Sequence, residues 1–233
     1  LPKIRDTEEL IKYSHEFLFL LSPRLDYDGG EAIIQTIVNY ALKRLSETPT
    51  ASEEWFKFFR KFLFPSMIFN NVSVNNLLYK VMSFFPISER YLLYSELTEK
   101  LIDVNIHMKI CYSMSEKDMK NFLKMVSYDK ESSQCRRFAN YANTNPVAVF
   151  DFVLTTIENF DKVSSILVSA AKFFSPYALD VLQFSLLKRL SKSRETVSPD
   201  GINMAPWFQN LTNFIAEIIK TQPRFHCYLL LEY

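Results

Sequence analysis

Glycine is almost missing from this chain, with 3 residues in 233. Hairpin-rich β folds, dinucleotide-binding loops and phosphate-binding loops all need glycine at fixed turns, so each is disfavoured. Long apolar runs are missing too. The longest is Phe17–Leu21, far short of the roughly 20 residues a membrane-spanning helix needs, so no membrane partner is expected and no signal peptide is visible. Charge of one sign is also lacking. The net charge is +1, with 13 basic and 14 acidic groups in residues 1–110 and 14 and 12 in residues 111–233. Neither half attracts nucleic acid through bulk charge. The three cysteines, Cys111, Cys135 and Cys227, are odd in number and widely spaced, as expected for free thiols in a reducing compartment. His15, His107 and His226 stand apart, none with a second His or Cys at i+3 or i+4, so no metal site is expected. No serine elbow, zinc spacing or paired carboxylate is visible. The expectation is a protein that is not an enzyme, with no cofactor and no small-molecule substrate.

What is present is core material and helix punctuation. Hydrophobic residues make up 48% and aromatics 15%. The most telling stretch runs from Arg136 to Phe152: a helix end, a polar turn and a new helix start. Asn145 is placed to cap through its side-chain oxygen, and Pro146 occupies the first helical position, where its missing N–H costs nothing. Val147, Phe150, Leu154 and Ile157 then share one face, with Glu158 and Asp161 assigned to the other. This is a tight helical hairpin, the unit of helical-repeat proteins.

The same reading extends along the chain. Asp6–Glu9 forms a capping box before a helix to about Leu21. A helix over 31–46 has Ile33, Ile34, Ile37, Ala41 and Leu45 inward. Thr50 and Glu53 can box the next, whose aromatics (Trp55, Phe56, Phe58, Phe59, Phe62, Phe64) point in all directions and predict burial against two neighbours. Ser73 caps a helix to Phe85. Ser88 caps another to Asp103, with Tyr91, Leu92, Tyr94, Leu97 and Leu101 inward. Residues 103–114 are ambiguous, and Ser115 with Asp118 opens a helix to Tyr128. A short helix ends at Phe174. Ser175-Pro176 opens a helix to Leu190 that is apolar on two faces and should sit centrally. A polar loop covers 191–203. Pro206 opens a helix with Leu211, Phe214, Ile215, Ile218 and Ile219 inward, and a last helix is cut short. No convincing strand is seen. The fold class is all-α, built of stacked antiparallel helix pairs of HEAT-like or α-solenoid type, with short connections. The chain starts at Leu-Pro and stops within an apolar run, which reads as an internal piece of a longer protein.

Two basic clusters are the candidate partner-binding residues. Arg136 and Arg137 precede the hairpin. Lys188, Arg189, Lys192 and Arg194 lie at a helix end and in its loop, with no acid between them. The bland reading is attraction to the negative helix end. The functional one is a contact for an acidic protein surface or for RNA phosphate. Trp55 and Trp207 are expected in the core.

Five blocks in one order resemble the THO complex subunit 2 family: WFKFFRKFLFPSM at 55–67, FFPISERYLLYSEL at 84–97, RRFANYANTNPVAVFDFVLTTIENFDKV at 136–163, SPYALDVLQFSLLKRL at 175–190 and DGINMAPWFQNLTNFIAEIIK at 200–220. They cover most of residues 55–220 and look closest to fungal members. The resemblance implies a long nuclear scaffold in the THO complex, partnered by a second large subunit and smaller coiled-coil subunits. With a DEAD-box RNA helicase and an export adaptor it forms TREX, which couples transcription to mRNA packaging and export. It implies that residues 1–110 are a helical segment preceding the middle domain, and that 111–233 begin a HEAT-like middle domain, a fold that elsewhere clamps the two lobes of a DEAD-box helicase. No catalytic residue carries over. The alternative is a direct RNA-binding helical-repeat module.

Overall fold

A computed structural model describes residues 9, 30–68, 71–125, 131–160, 163–199, 201–223 and 225. Apart from Glu9, which is helical, the expected helix 6–21 lies outside them, as do the final helix beyond Phe225, His15, His226 and Cys227. The chain divides into two compact units, Leu1–Tyr112 and Ser113–Tyr233. The described residues are helical apart from connections and one isolated antiparallel bridge, Val197 to Met204. The protein is all-α, with helices packed against one another in the manner of a solenoid.

In the first unit α1 (Gly30–Glu47) packs on α3 (Val72–Met82). Ile34, Ile37, Val38, Ala41 and Leu45 are buried, whereas Ile33, expected in that stripe, is exposed. The buried set keeps the i, i+3, i+4, i+7, i+11 spacing, and Ile33 stands one position off it. Between them α2 (Ser52–Phe58) starts differently from expectation. A 3₁₀ turn, Pro49–Ala51, feeds the helix directly and leaves no side-chain cap. Glu53 pairs with Lys57 at 2.7 Å instead of closing a box with Thr50. The helix then widens into a π turn at Phe59–Leu63 and tightens to 3₁₀ at Phe64–Ile68. The changing pitch turns the aromatics around the axis. Trp55, Phe56, Phe58, Phe59, Phe62 and Phe64 are therefore all buried, with Trp55 edge-on to Phe58 and both Phe56 and Phe59 edge-on to Phe85. Such edge contacts add to plain burial.

The start of α3 corrects a second expectation. The cap is Asn71, whose side-chain oxygen accepts from the Val74 N–H at 3.1 Å, and Ser73 lies inside the first turn. Asn71→Ala should therefore destabilise the protein by about 1 kcal/mol, while Ser73→Ala should be close to neutral. Urea unfolding of the two variants against wild type checks this.

Helix α4 (Ile87–Glu96) follows Pro86, with no cap from Ser88, and runs on through a second π turn at Leu97–Leu101 to Val104. Leu93, Tyr94 and Leu97 are buried, and Leu92, expected inside, is outside. Arg60, in the first π turn, forks onto Glu96, just before the second, through Nε to Oε2 at 2.7 Å and Nη2 to Oε1. The ambiguous stretch resolves at Asn105. Its side chain accepts from the N–H groups of His107 and Met108 and launches one helix, α5 (Ile106–Lys124), with no break at Ser115.

The second unit holds α6 (Glu131–Thr144), α7 (Pro146–Asn159), α8 (Ser164–Ala170) with a 3₁₀ turn Ala171–Phe173, α9 (Pro176–Leu190) and α10 (Pro206–Thr221). α7 packs against α6, α9 and α10, and α8 against α6 and α10. Every residue of α9 from Tyr177 to Leu186 is buried, which is the central placement its two apolar faces demand. Ser175 caps it as expected, accepting from the Ala178 N–H at 3.2 Å, with Pro176 in the first turn. On α7, Val147, Phe150, Leu154 and Ile157 are all buried. On α10, Leu211, Phe214 and Ile218 are buried, but Ile219 is partly exposed.

The hairpin turn is tighter than expected, since Asn145 alone separates α6 from α7. Asn145 is buried and makes no side-chain cap; its amide donates to the Ser115 hydroxyl at 3.0 Å. Asn143 does the bridging. Its amide donates to the Phe173 carbonyl at 3.1 Å and its oxygen accepts from the Ser175 N–H at 2.7 Å. The polar turn thus joins three helix ends and satisfies backbone groups that burial would otherwise leave unpaired.

Candidate partner-binding surface

The second basic cluster forms around α9's last turn. Arg189 lies on the stripe of Leu182 and Leu186 and is 5% exposed. Its guanidinium crosses to α7. Nη1 donates to Glu158 Oε1 at 3.0 Å, and Nη2 donates to the Asp151 carboxylate at 3.1 Å, to the Thr155 hydroxyl at 2.8 Å and to the Asp151 carbonyl. Arg194, in the following loop, forks onto the same carboxylate, Nη1 to Oε2 at 3.0 Å and Nη2 to Oε1 at 3.1 Å. It also donates to the Arg189 carbonyl at the end of α9 and lies 3.7 Å over the Trp207 ring. Trp207, half-buried at the start of α10, donates its indole N–H to the Glu195 carbonyl at 3.0 Å. Asn210 donates to the Glu158 carbonyl at 3.2 Å.

Glu158 is therefore the hub of α7, α9, the loop and α10. It is 7% exposed. Burial alone pushes its carboxyl up, but the hydrogen bonds and charges of Arg194 and Arg189 outweigh that and hold it below the ordinary value of 4.5. A bidentate, charge-assisted fork with a second guanidinium behind it is among the strongest pairings available to a buried carboxylate. The sequence reading put Glu158 on the solvent side. Its position four residues after Leu154 and eleven after Val147 places it on the apolar stripe, and that spacing was the available signal.

Of the four residues in this cluster, Arg189 and Arg194 are thus held by internal acceptors. Lys192 is exposed, and Lys188 is half-buried with its ammonium 5.8 Å from the Phe184 ring centre.

The first cluster differs. Arg136 and Arg137, on the outer side of α6, are exposed and form no ion pair among the described residues. Each lies on aromatic rings. Arg136 sits 5.2 Å from the Phe173 ring centre, with Lys172 at 5.2 Å from the same ring. Arg137 is 5.8 Å from Phe122 and 5.9 Å from Tyr141, and donates to the Tyr141 hydroxyl at 3.3 Å. The rings orient the planar guanidiniums without neutralising them. Phe173 and Phe122 are far from the arginines in sequence and left no local signal, whereas Tyr141, four residues after Arg137 on the same helix, was within reach of helix spacing.

The structure does not join the two clusters. Arg136 lies beside Phe173, just before α9 begins, and Arg189 lies at α9's end, roughly 20 Å away along a 15-residue helix. No group of three or more potential metal ligands occurs among the described residues, and no helix there is long and apolar enough to cross a membrane.

Paired helices with buried polar ties define a stacked-helix protein, with Arg136 and Arg137 laid over buried or half-buried rings at the surface of its second unit. The family model described as THO complex subunit 2 N-terminus matches residues 1–136, and that described as transcription- and export-related complex subunit matches residues 138–212. The chain belongs to the THO complex subunit 2 family. It is 36% identical over 234 residues to THO complex subunit 2 of Saccharomyces cerevisiae, covering 96% of this chain and 14% of that protein. The Arabidopsis thaliana protein of that name is 28% identical over 70% of this chain and 9% of its own length. The Homo sapiens one is 20% identical over 66% and 10%. The chain thus spans about a seventh of the yeast relative. The two family models meet inside α6, whereas the packing divides inside α5.

Proposed function

We propose that this chain is part of a non-enzymatic scaffold subunit of the THO and TREX assemblies, acting in the nucleus in transcription-coupled mRNP assembly and mRNA export. Its partners are the other THO subunits and a DEAD-box RNA helicase, which it docks and stimulates. Residues 1–110 are the helical segment before the middle domain, and 111–233 the first part of a HEAT-like middle domain. The observation that carries this reading is the pair Arg136 and Arg137. These are exposed cations that pair with no carboxylate among the described residues, laid against aromatic rings on a packed helix, and suited to an acidic protein surface. Lys188 and Lys192 supply the second contact, and Arg189 and Arg194 hold the frame from which they project. Stimulation needs no chemistry from the scaffold, because binding one pose of a two-lobed helicase more tightly than the others shifts its population.

The test is the RNA-dependent ATPase rate of the partner helicase with and without the subunit, wild type and Arg136→Glu/Arg137→Glu. The wild type should raise the rate. The variant, whose changes sit at exposed positions, should keep its fold but bind at least about tenfold more weakly. Unchanged binding by the variant removes these residues from the contact.

A second reading, direct RNA binding, is favoured by the same exposed arginines, which can meet phosphate, while the rings beneath them are buried or half-buried and give bases no open face to stack on. Gel shifts at two salt concentrations separate the two, because phosphate contacts weaken steeply with salt.

A further inference from the structure

The loop after α9, expected as an exposed, polar and charged loop over 191–203 that could carry a partner contact, folds into a hairpin. Val197 and Met204 form an antiparallel bridge. The Ser198 N–H donates to the Asn203 carbonyl at 2.8 Å, the Ala205 N–H to the Thr196 carbonyl at 2.8 Å, and the Ser198 hydroxyl to the Met204 carbonyl at 3.1 Å. The turn closes through the Gly201 N–H to the Ser198 carbonyl at 2.9 Å, with Gly201 at φ +69°, a conformation that suits glycine. The base is clamped from both sides. Arg194 is fixed between Glu158 and the Trp207 ring, the Trp207 indole holds the Glu195 carbonyl, and Ala205 is buried.

What this clamped hairpin displays is apolar. Ile202 is 86% exposed, Met204 59% and Val197 47%. Loop tips are ordinarily polar, and ordering one to show three apolar side chains to water is unfavourable unless a partner covers them. The charge around them selects the partner. The described residues of this hairpin, 195–199 and 201–205, include no lysine or arginine, and Glu195, exposed at its base, is their one acid. Phosphate backbones and anionic membranes need cations at the contact, so neither suits this tip.

We propose that the hairpin 195–205 is a docking prong that inserts Ile202 and Met204 into an apolar pocket, rimmed by lysine or arginine, on another protein subunit of the same complex. This rests on the scaffold reading above and names a surface separate from Arg136 and Arg137. Because the clamp fixes the prong beforehand, little ordering entropy opposes insertion, which is the condition for a small apolar anchor to act as a hot spot.

The experiment uses the full-length subunit reconstituted with the other THO subunits and RNA, with p-benzoylphenylalanine at position 202, and in parallel the double variant Ile202→Asp/Met204→Asp. The expected result is a crosslink from position 202 to another protein subunit. With it should come a fall in affinity for that subunit of about tenfold or more in the double variant, at an unchanged melting temperature because both side chains are exposed. A crosslink to RNA, or only within the subunit itself, overturns the proposal. So does a double variant that assembles with wild-type affinity while the wild type assembles normally, which leaves the scaffold reading intact. A wild-type subunit that fails to assemble with the others overturns the scaffold reading and the prong together.

Discussion

Replacing Glu158 with glutamine should destabilise the second unit by about 3–5 kcal/mol at pH 7, the usual cost of removing one partner from a buried ion pair. The substitution keeps shape and removes charge. Arg189, whose side chain is 6% exposed, then retains as its charged partner among the described residues only the Asp151 carboxylate, which is 56% exposed. Arg194 keeps at most one arm of its fork, because the amide presents an NH2 donor where the second carboxylate oxygen accepted. The loss should shrink in acid, and the sign follows from linkage. Burial raises the Glu158 carboxyl, the two arginines lower it further than that, and the net folded value lies below 4.5. The unfolded chain therefore takes up protons first as pH falls. The stability contributed by Glu158 is complete above about pH 4.5 and is lost as pH drops through the folded value. Glu89 and Glu116 act in the opposite sense. Burial, then Glu53 for the one and Asp151 for the other, raises both carboxyls, so their contribution weakens as pH rises through the folded values. The wild-type profile mixes these terms, and the difference between wild type and Glu158→Gln isolates one. Urea unfolding at pH 7 and pH 4 measures it, following Trp207 emission in a Trp55→Phe background so that the reporter lies against the clamp. A loss equal at the two pH values, or below about 1 kcal/mol, would show that Glu158 is not an ionised hub.

The Glu158 cluster also marks where the sequence stops being legible. Helix existence and apolar faces follow from local spacing, which is why α1, α7, α9 and α10 stand where periodicity puts them. Helix starts are less legible, because several side chains can reach the same free N–H groups. Asn71 takes the role expected of Ser73, a 3₁₀ turn replaces the Thr50 box, and the Asn145 amide turns to Ser115 instead of capping. The first unit's two π turns add one residue to a helical turn, so the phase read before each does not hold beyond it, and ahead of the second one Leu93, beside Tyr94 and Leu97, faces inward in place of Leu92. Of the candidate surface, the basic residues are visible as composition. Whether a basic side chain faces solvent or a buried acid depends on residues over 30 positions away, as with Arg189 and Glu158. The ring beneath Arg136 belongs to another helix end. Such pairings are tertiary facts with no local signature, and a polar residue at a stripe position is the one hint they leave.

Phe150→Ala should be the most damaging apolar truncation in the second unit, costing about 3–5 kcal/mol. Phe150 is fully buried in α7 and meets Phe174 edge-to-face at 5.5 Å, while Phe174 in turn meets Phe138 of α6 at 6.0 Å. The three rings join α6, α7 and the segment leading into α9, beside the Asn143 bonds to Phe173 and Ser175. Alanine leaves a void that these helices cannot easily close. Polar ties at Asn143 and Asn145 fix one end of α7 and the Glu158 hub fixes the other, so collapse would require breaking one of them. Phe150→Leu keeps most of the volume and should cost about 1–2 kcal/mol, the difference from alanine being chiefly cavity and the lost edge contact. The partly exposed neighbour Phe152 provides the contrast, and its alanine variant should lose under about 1.5 kcal/mol. Equilibrium urea unfolding of the three variants tests the order. If Phe150→Ala cost no more than Phe152→Ala, the helix would be able to slide and repack. The hairpin would then be a compliant connection, and the arginines on α6 would lose the fixed frame on which their docking role depends.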